Sequence, residues 1–252
     1  MSWQLALGQL TNIAAQGVNP LTILGSSLLA WWTADRPDLI TLNSTAVTSW
    51  KDVVAGYDAV QGVSASRPIY SATSFNGAPG LTFDSVDDEL TLASQPFPSG
   101  ASPSEIWAVV QQDALGSDAS ARRVVSYGGS TTNNDLRQLI RSQTGGTTSA
   151  LQALVGTGAA TTVALNTSVA FQGRNLARVK FEATQIRADL NGNAGTPSAA
   201  VPSTGSTRFR IGAATFGAGF WNGKMRDVLV TGPLSTGQKS ALEAWALPRR
   251  ML

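Results

Sequence analysis

The densest group of side chains able to do chemistry is a run of four acids within six positions: Asp84, Asp87, Asp88 and Glu89. Carboxylates in such a cluster can cleave a glycosidic bond as a pair, ligate calcium through several oxygens, or accept hydrogen bonds from the N–H groups of a turn. Apolar residues alternate on both sides, at Leu81, Phe83, Leu90 and Leu92. The pattern therefore favours a hairpin turn with solvated acids over a calcium loop, and both over a glycosidase pair.

Two residue types that carry much enzyme chemistry, Cys and His, are absent from all 252 residues. Disulfides, zinc–thiolate sites, cysteine nucleophiles, imidazole ligands and a Ser-His-Asp arrangement are therefore excluded. Catalysis would have to use carboxylates, Lys or Tyr alone. From this composition we predict that the chain is not an enzyme and that it uses no cofactor and no metal.

Two Gly-rich polar segments, YGGSTTNNDL and SQTGGTTSAL, lie between strand-like runs. In the first segment, Asn133, Asn134 and Asp135 carry amide and carboxylate groups that can hydrogen-bond sugar hydroxyls. They are the predicted ligand-binding residues, with plain solvated loops as the alternative. The GGSTT sequence lacks the Gly-Lys-Ser/Thr ending of a phosphate-binding loop.

The first 24 residues form a charge-free, apolar leader that differs from the rest of the chain. No positive charge precedes its apolar residues, so the leader is not predicted to be a secretory signal, and synthesis in a cytoplasm is expected. Because uncovered apolar surface favours association, we predict a docking segment over residues 1–24, with packing onto its own domain, 25–252, as the alternative. The residues predicted to contact a partner are Trp3, Leu5, Leu7, Leu10 and Ile13.

Charge and hydropathy limit the classes of partner. The net charge is +2, charged residues make up 13% of the chain and no run of Lys or Arg exceeds two residues, which argues against a dedicated nucleic-acid-binding face. No apolar stretch approaches the roughly 18 residues of a membrane helix. With 42% hydrophobic residues, the chain can bury a sizeable core as one domain.

Short strands are predicted from residue 28 onward. Apolar and polar residues alternate in segments such as SEIWAVVQQ and QIRADLNG, and Gly, Asn, Ser and Pro recur between these segments. This pattern is typical of an all-β sandwich or barrel. One helix is predicted near the end, in PLSTGQKSALEAWAL, where Ser235 can cap the start and Pro248 is expected to end the helix.

The seven tryptophans raise the question of a sugar-stacking platform. Core packing is predicted for Trp31, Trp50 and Trp107, which lie on strands, because large aromatic side chains dominate cores. Of the adjacent pair Trp31 and Trp32, one is expected to face away from the core. No aromatic stripe that would form a platform is apparent.

Five stretches occur in an order that resembles a known family. LLAWWTAD is similar to an opening strand of the form L-x-x-W-[LF]-x-A-[DS]; the later matching stretches are VTSWKDVVAGYDAVQ, FNGAPGLTFDSVDDELTL, RFRIGAA and FWNGKMRDVLVTGPLSTGQKSALEAWAL. Together, over residues 28–247, they resemble concanavalin A-like jelly rolls of the laminin-G-like kind. The chain departs from that pattern at Thr231 and Gly232, where an aromatic residue is usual, and at Ser85, where Gly is usual.

The resemblance implies an antiparallel two-sheet jelly-roll sandwich with an N-terminal extension and a short C-terminal helix. It implies no single function, because relatives include sugar-binding modules, glycoside hydrolases, adhesive domains and domains of bacteriophage tail, fibre and head proteins. The hydrolase branch carries a motif similar to E-x-D-x-x-E, and none of the four Glu residues of this chain begins one.

The leading hypothesis is a non-catalytic structural or adhesive virion protein of a bacteriophage, made in the host cytoplasm. It would decorate the head or form part of a tail fibre or receptor-binding tip. The expected partners are other virion proteins, through the N-terminal segment, further copies of the chain, and a cell-surface glycan, without nucleic-acid binding or membrane insertion. The alternatives are a stand-alone carbohydrate-binding module and a glycan hydrolase or lyase.

Overall fold

The structure is a computed structural model that describes residues 18–54, 56–93, 97–113, 121–128, 136–144, 148–157, 161–167, 171, 173–203, 205, 208–215 and 217–251. The described chain is an antiparallel all-β body with a short helix near its C-terminus, which confirms the predicted all-β antiparallel class and the C-terminal helix. The α-helices are α1 (Pro20–Leu24) and α2 (Thr236–Arg249). Neither of them has the length and hydrophobicity that a membrane crossing requires, and the described residues contain no other helix that does.

The described part of the chain contains eighteen strands, and all of their recorded pairings are antiparallel. They are β1 (Leu28–Thr33), β2 (Ile40–Asn43), β3 (Ala46–Trp50), β4 (Ala59–Val60), β5 (Ile69–Phe75), β6 (Ala78–Asp84), β7 (Leu90–Leu92), β8 (Ser104–Gln112), β9 (Arg122–Gly128), β10 (Leu136–Thr144), β11 (Thr148–Gly156), β12 (Thr161–Asn166), β13 (Gly173–Phe181), β14 (Gln185–Leu190), β15 (Asn193–Ala194), β16 (Ser198–Ala199), β17 (Arg208–Ile211) and β18 (Asn222–Thr231).

Strand β18 is the hub of the sheet. Strand β8 pairs along one edge of β18, and β6 and β1 share its other edge. From β8 the ladder continues through β13 to β14. From β6 it continues through β5, β3, β4, β7, β17, β9, β10 and β11 to β12.

The hydrogen bonds therefore join the strands into one 18-stranded, nearly closed, barrel-like sheet. This architecture differs from the predicted two-sheet jelly-roll sandwich. The two halves are connected by the pairing of β3 with β5, where Ala46 lies opposite Ile69. This long-range pairing leaves no trace in the local alternation of apolar residues, so the sequence pattern does not predict it.

A side chain joins the two ends of this ladder. The Asn166 amide, on β12, donates to the backbone carbonyl oxygens of Ala188 at 3.2 Å and Asn193 at 2.8 Å. Asn166 is 1% exposed, so these bonds satisfy polar groups that water does not reach. Gly195 lies against the same seam, since a Cβ there would stand 2.3 Å from the Ala188 oxygen.

The core has two layers, which explains the adjacent tryptophans. Trp32 is fully buried in the main cluster inside the sheet. Trp31 points to the opposite face and packs in a second cluster with Trp107 and with Leu242 and Ala246 of α2. Trp31 thus faces away from the main core, as predicted for one of the pair, and it is still only 8% exposed because α2 covers it.

Helix α2 begins where the sequence predicts and ends later. The Ser235 hydroxyl accepts from the Gln238 N–H at 3.2 Å, and the Gln238 side chain accepts from the Ser235 N–H at 3.1 Å. Pro248 lies inside the helix, which continues to Arg249, so the expected end at Pro248 is wrong. The Arg249 guanidinium donates to Asp227 at 2.9 Å and to Asp35 at 2.6 Å, and these bonds hold the last turn against the sheet.

The C-terminal part of the predicted docking segment packs onto this layer. Leu24, in α1, is 2% exposed in the second cluster, and its carbonyl oxygen accepts from the Gln238 amide at 3.2 Å. Val18 and Leu21 are 59% and 41% exposed.

Candidate functional site

The four acids form a connection, here called the acidic turn (residues 84–89), that is held by its own hydrogen bonds. The Asp84 carboxylate accepts from the Val86 N–H at 2.8 Å, and the Asp88 carboxylate accepts from the Asp84 N–H at 2.9 Å. The Ser66 hydroxyl donates to Asp87 at 2.9 Å. Ser85 adopts a φ of 72°, in the left-handed region where the related family usually has Gly.

Two parts of the prediction for this segment are wrong. Strand β6 pairs with β5 and β18, whereas β7 pairs with β4 and β17, so the acidic turn joins strands that are not paired with each other and is not a hairpin. The acids are also not all solvated: Asp84 is exposed, but Asp88 is only 4% exposed. Glu89 forms an ion pair with Arg210.

Three like charges crowd one another in the acidic turn. Carboxylate oxygens of Asp84, Asp87 and Asp88 lie within 4.8 Å of one another. Burial, together with the neighbouring Asp84 charge, raises the pKa of Asp88 to about 6. The oxygens are of the type that a hard cation such as calcium prefers, and the calcium loop stays a sequence-based alternative.

A second group of carboxylates lies at the other end of β18, in a cleft. Asp84 is opposite Asn222 at the start of β18, whereas Glu105 is opposite Thr231 at its end. The cleft has a volume of about 350 Å³, and the residues that line it come from the start of β8, the turn between β13 and β14, and the chain after β18: Pro103, Ser104, Glu105, Lys180, Phe181, Glu182, Ala183, Thr184, Gln185, Pro233 and Leu234. That volume lies at the lower end of the range of small-ligand sites, about 300–1,000 Å³.

The turn between β13 and β14 supplies the polar rim of the cleft. Its backbone is closed by the Glu182 N–H, which donates to the Gln185 carbonyl oxygen at 2.8 Å. The Lys180 ammonium lies 2.5 Å from the Glu182 carboxylate, and the Gln185 amide donates to the same carboxylate. Burial works to raise the pKa of Glu182, but the hydrogen bonds from Lys180 and Gln185 outweigh it and hold that pKa below its ordinary value.

Beneath the rim, Glu105 belongs to a buried ion network. Its carboxylate accepts from the Arg178 guanidinium at 2.9 and 2.8 Å and from the Trp107 indole at 3.0 Å. Arg178 also lies 2.5 Å from Asp189. The side chains of Glu105, Arg178 and Asp189 are 1%, 4% and 3% exposed, so each charge depends on the others.

This cleft was not predicted, although the sequence contains a signal for it. Glu105, Arg178 and Asp189 each stand in a strand segment in which apolar residues predominate, in SEIWAVV, LARVKF and IRADL. A charge at such a position must be paired if it is buried. The predicted ligand-binding residues Asn133, Asn134 and Asp135, and the predicted docking residues Trp3, Leu5, Leu7, Leu10 and Ile13, lie outside the described residues.

No protein-family model and no curated protein matches this sequence. Solved structures do match its fold. A GH54 α-L-arabinofuranosidase matches with a TM-score of 0.64 and 11% identity, over 92% of this chain and 66% of that chain. Domain 4 of AbnA, a GH43 extracellular arabinanase from Geobacillus stearothermophilus solved with arabinotriose, matches with a TM-score of 0.59 and 12% identity, over 87% of this chain and 98% of that chain.

Tailspike protein 2 of an Escherichia coli O157:H7 bacteriophage matches with a TM-score of 0.51 and 13% identity, over 68% of this chain. This chain thus spans 25% of the length of that tailspike. At these identities the likeness establishes a shared all-β fold. The laminin-G-like part of the resemblance and a head-decoration role find no support among these structures.

The comparisons contradict the prediction that the chain is not an enzyme. Most of these similar structures come from glycoside hydrolases, and another is described as the enzymatically active domain of the tailspike. The prediction was based on the absence of His and Cys. Glycosidic bonds are cleaved by pairs of carboxylates, so that absence does not exclude this chemistry.

Proposed function

We propose that this chain is a glycan-binding β-domain of a bacteriophage tail component. The observation that carries the proposal is the cleft, which is lined by three neighbouring polar residues, Glu182, Thr184 and Gln185, and by an apolar wall that includes Pro233 and Leu234. Sugars present hydroxyls on their edges and C–H groups on their faces, and this mixture of surfaces suits both. The fold shared with an arabinanase domain solved with arabinotriose supports the sugar class, and the fold shared with a tailspike supports the phage setting.

Filling the cleft tests the proposal. Ala183 is exposed and lines the cleft, so Ala183→Trp is expected to abolish binding in a glycan array and in calorimetry with the glycans that the array identifies. Ala72→Trp is the matched control, because Ala72 is exposed on β5 and does not line the cleft. Equal glycan binding by both variants would place the sugar site elsewhere, and the absence of binding by the wild type would reject glycan binding.

The finer parts of the proposal concern assembly. The docking segment, residues 1–24, binds other virion proteins through Trp3, Leu5, Leu7, Leu10 and Ile13. The assembled form is a homo-oligomer. Additional contacts to the glycan come from Asn133, Asn134 and Asp135. Deleting residues 1–17, which precede the described chain, is expected to remove the protein from purified particles while leaving glycan binding by the free domain intact. Incorporation of the truncated protein at the normal level, measured by mass spectrometry of particles, would refute the docking role.

Glycan cleavage is a second candidate, because one carboxylate, Glu182, lies at the rim of the cleft and a second, Glu105, lies buried beneath it. A glycosidase requires two carboxyl groups that flank the scissile bond. If the cleft is catalytic, mass analysis of oligosaccharides incubated with the protein detects shortened products, and both Glu182→Gln and Ala183→Trp eliminate them. Products that persist in both variants, or that never exceed those of a heat-treated sample, would reject cleavage in this cleft.

A further inference from the structure

The charged groups that line the cleft are neutralised in pairs by the protein itself. Lys180 and Glu182 lie 2.5 Å apart, and their side chains are 23% and 29% exposed, so both remain within reach of a ligand. The two charges cancel at the rim. Since the pKa of Glu182 is held below its ordinary value, this pair stays ionised over the neutral and mildly acidic range.

The deeper charge, Glu105, is cancelled below the rim. Both of its carboxylate oxygens accept from Arg178. Arg178 also pairs with a second acid, Asp189, which in turn lies 2.8 Å from Arg187. Two acids and two guanidiniums thus form a closed neutral group. Because Glu105 and Arg178 are almost fully buried, a ligand cannot rearrange this group without leaving a buried charge unpaired.

The groups of the cleft that remain available to contact a ligand are uncharged. The Thr184 hydroxyl is exposed and makes no hydrogen bond within the described part of the chain. The Gln185 side chain donates to Glu182, and within that same part of the chain its oxygen has no donor. The Pro103 and Pro233 rings are exposed at the apolar wall. These groups can contact the hydroxyls and the C–H faces of a sugar that carries no charge.

From this charge pairing we infer that the cleft selects uncharged glycans and discriminates against acidic ones such as uronates and sialates; the inference rests on the glycan-binding function proposed above. A sugar carboxylate that bound Lys180 would have to displace Glu182 or share the ammonium with it. Either arrangement brings the sugar carboxylate close to the negative charge of Glu182. The Lys180–Glu182 pair therefore disfavours acidic glycans through repulsion between the sugar carboxylate and Glu182.

One substitution tests this directly. In Glu182→Gln the amide keeps the size of the side chain and releases Lys180 from its counter-charge. The probes are neutral and acidic oligosaccharides of matched length, arabinotriose and trigalacturonate, together with an array of neutral, uronate-containing and sialylated glycans. The control is Glu243→Gln, which breaks another Lys–Glu pair, Lys239–Glu243, on α2 and outside the cleft.

The wild type is expected to favour neutral over acidic glycans, with little dependence on salt. Glu182→Gln is expected to shift the acidic-to-neutral affinity ratio by about fivefold toward acidic glycans, an effect that salt weakens, whereas Glu243→Gln leaves the ratio unchanged. A wild type that prefers acidic glycans, or an unchanged ratio in Glu182→Gln, would overturn the selectivity and leave glycan binding intact. If no glycan of the array binds, both the proposed function and this inference fail.

Discussion

The acidic turn and the cleft lie at opposite ends of β18 and hold their carboxylates in opposite electrostatic states. In the acidic turn, burial and the nearby charge of Asp84 raise the pKa of Asp88 to about 6. In the cleft, the hydrogen bonds from Lys180 and Gln185 hold the pKa of Glu182 below its ordinary value, and Arg178 binds Glu105 through both carboxylate oxygens. Acids that are adjacent in sequence repel, whereas acids that meet cations across strands are stabilised as charges.

This difference shows that the local density of acids is a poor guide to the site. The acidic turn has the highest density of acids in the sequence, yet its hydrogen bonds are mostly to its own backbone and to Ser66. The cleft uses single charges that are far apart in the sequence and that the register of β8, β13 and β14 brings together. Three substitutions test the contrast.

The largest effect is expected from Arg178→Met, which leaves Glu105 and Asp189 buried without their shared cation. Breaking a buried ion pair in this way costs about 3–5 kcal/mol of unfolding free energy. Urea unfolding measures the loss, and Arg178→Lys, which restores one positive charge without the bidentate geometry, is expected to be intermediate.

The matched control for this substitution is Arg36→Met. Arg36 and Asp38 form an ion pair at 2.6 Å with side chains 50% and 57% exposed, and exposed pairs of this kind contribute little, so no measurable change is expected. Similar unfolding midpoints for Arg178→Met and Arg36→Met would show that the buried network does not stabilise the fold.

The second prediction concerns pH. Because the folded chain raises the pKa of Asp88 from 3.8 to about 6, folding favours its protonated form, and that stabilisation is lost as the pH rises through about 6. Asp88→Asn keeps an oxygen acceptor for the Asp84 N–H and removes the titration. The variant is expected to gain about 2 kcal/mol relative to the wild type between pH 4 and pH 7.

Asp84→Asn sharpens this test. It removes the neighbouring charge that contributes to the raised pKa of Asp88 but leaves the burial of Asp88 unchanged, so the pH dependence is expected to shrink without vanishing. Parallel stability–pH curves for the wild type and Asp88→Asn, from thermal unfolding in matched buffers, would contradict the raised pKa of Asp88. Parallel curves for the wild type and Asp84→Asn would contradict the contribution of the neighbouring charge.

The smallest effect is expected from Ser66→Ala, which removes the hydroxyl that donates to Asp87 at 2.9 Å. The acceptor is a carboxylate, but the bond is only partly buried, so a loss of about 1 kcal/mol is expected. Ser64→Ala is the control, since Ser64 is exposed in the same Ser64–Ser66 turn. A loss of equal size in both variants would mean that the Ser66 hydroxyl does not hold the acidic turn.

Local patterns predicted most of the elements. The alternation in SEIWAVVQQ and QIRADL became β8 and β14, and the capping pair Ser235 and Gln238 marks the start of α2. These features depend on residues that are close in sequence. The closure of the sheet depends on the Ala46–Ile69 pairing and the Asn166 side chain, which act between distant strands, so the alternation could not reveal either.

The site was harder to predict, for the same reason. The four acids are evident in the sequence, but the pairing of Glu105 with Arg178 is not, because that pairing requires the register of β8 against β13. The absence of His and Cys also led to the prediction that the chain is not an enzyme, which the similarity in fold to glycoside hydrolases contradicts. Isolated charges inside apolar strands were the available signal.

The central position of β18 has a consequence for folding. Its neighbours β1, β6 and β8 precede it by more than a hundred residues, and none of the three can complete its hydrogen bonding until residues 222–231 arrive. During translation, the other strands of the sheet are therefore synthesised before β18. Such high contact order predicts slow, late folding with open strand edges awaiting a partner. Production of this protein should benefit from slow translation at low temperature and from chaperones that shield those edges.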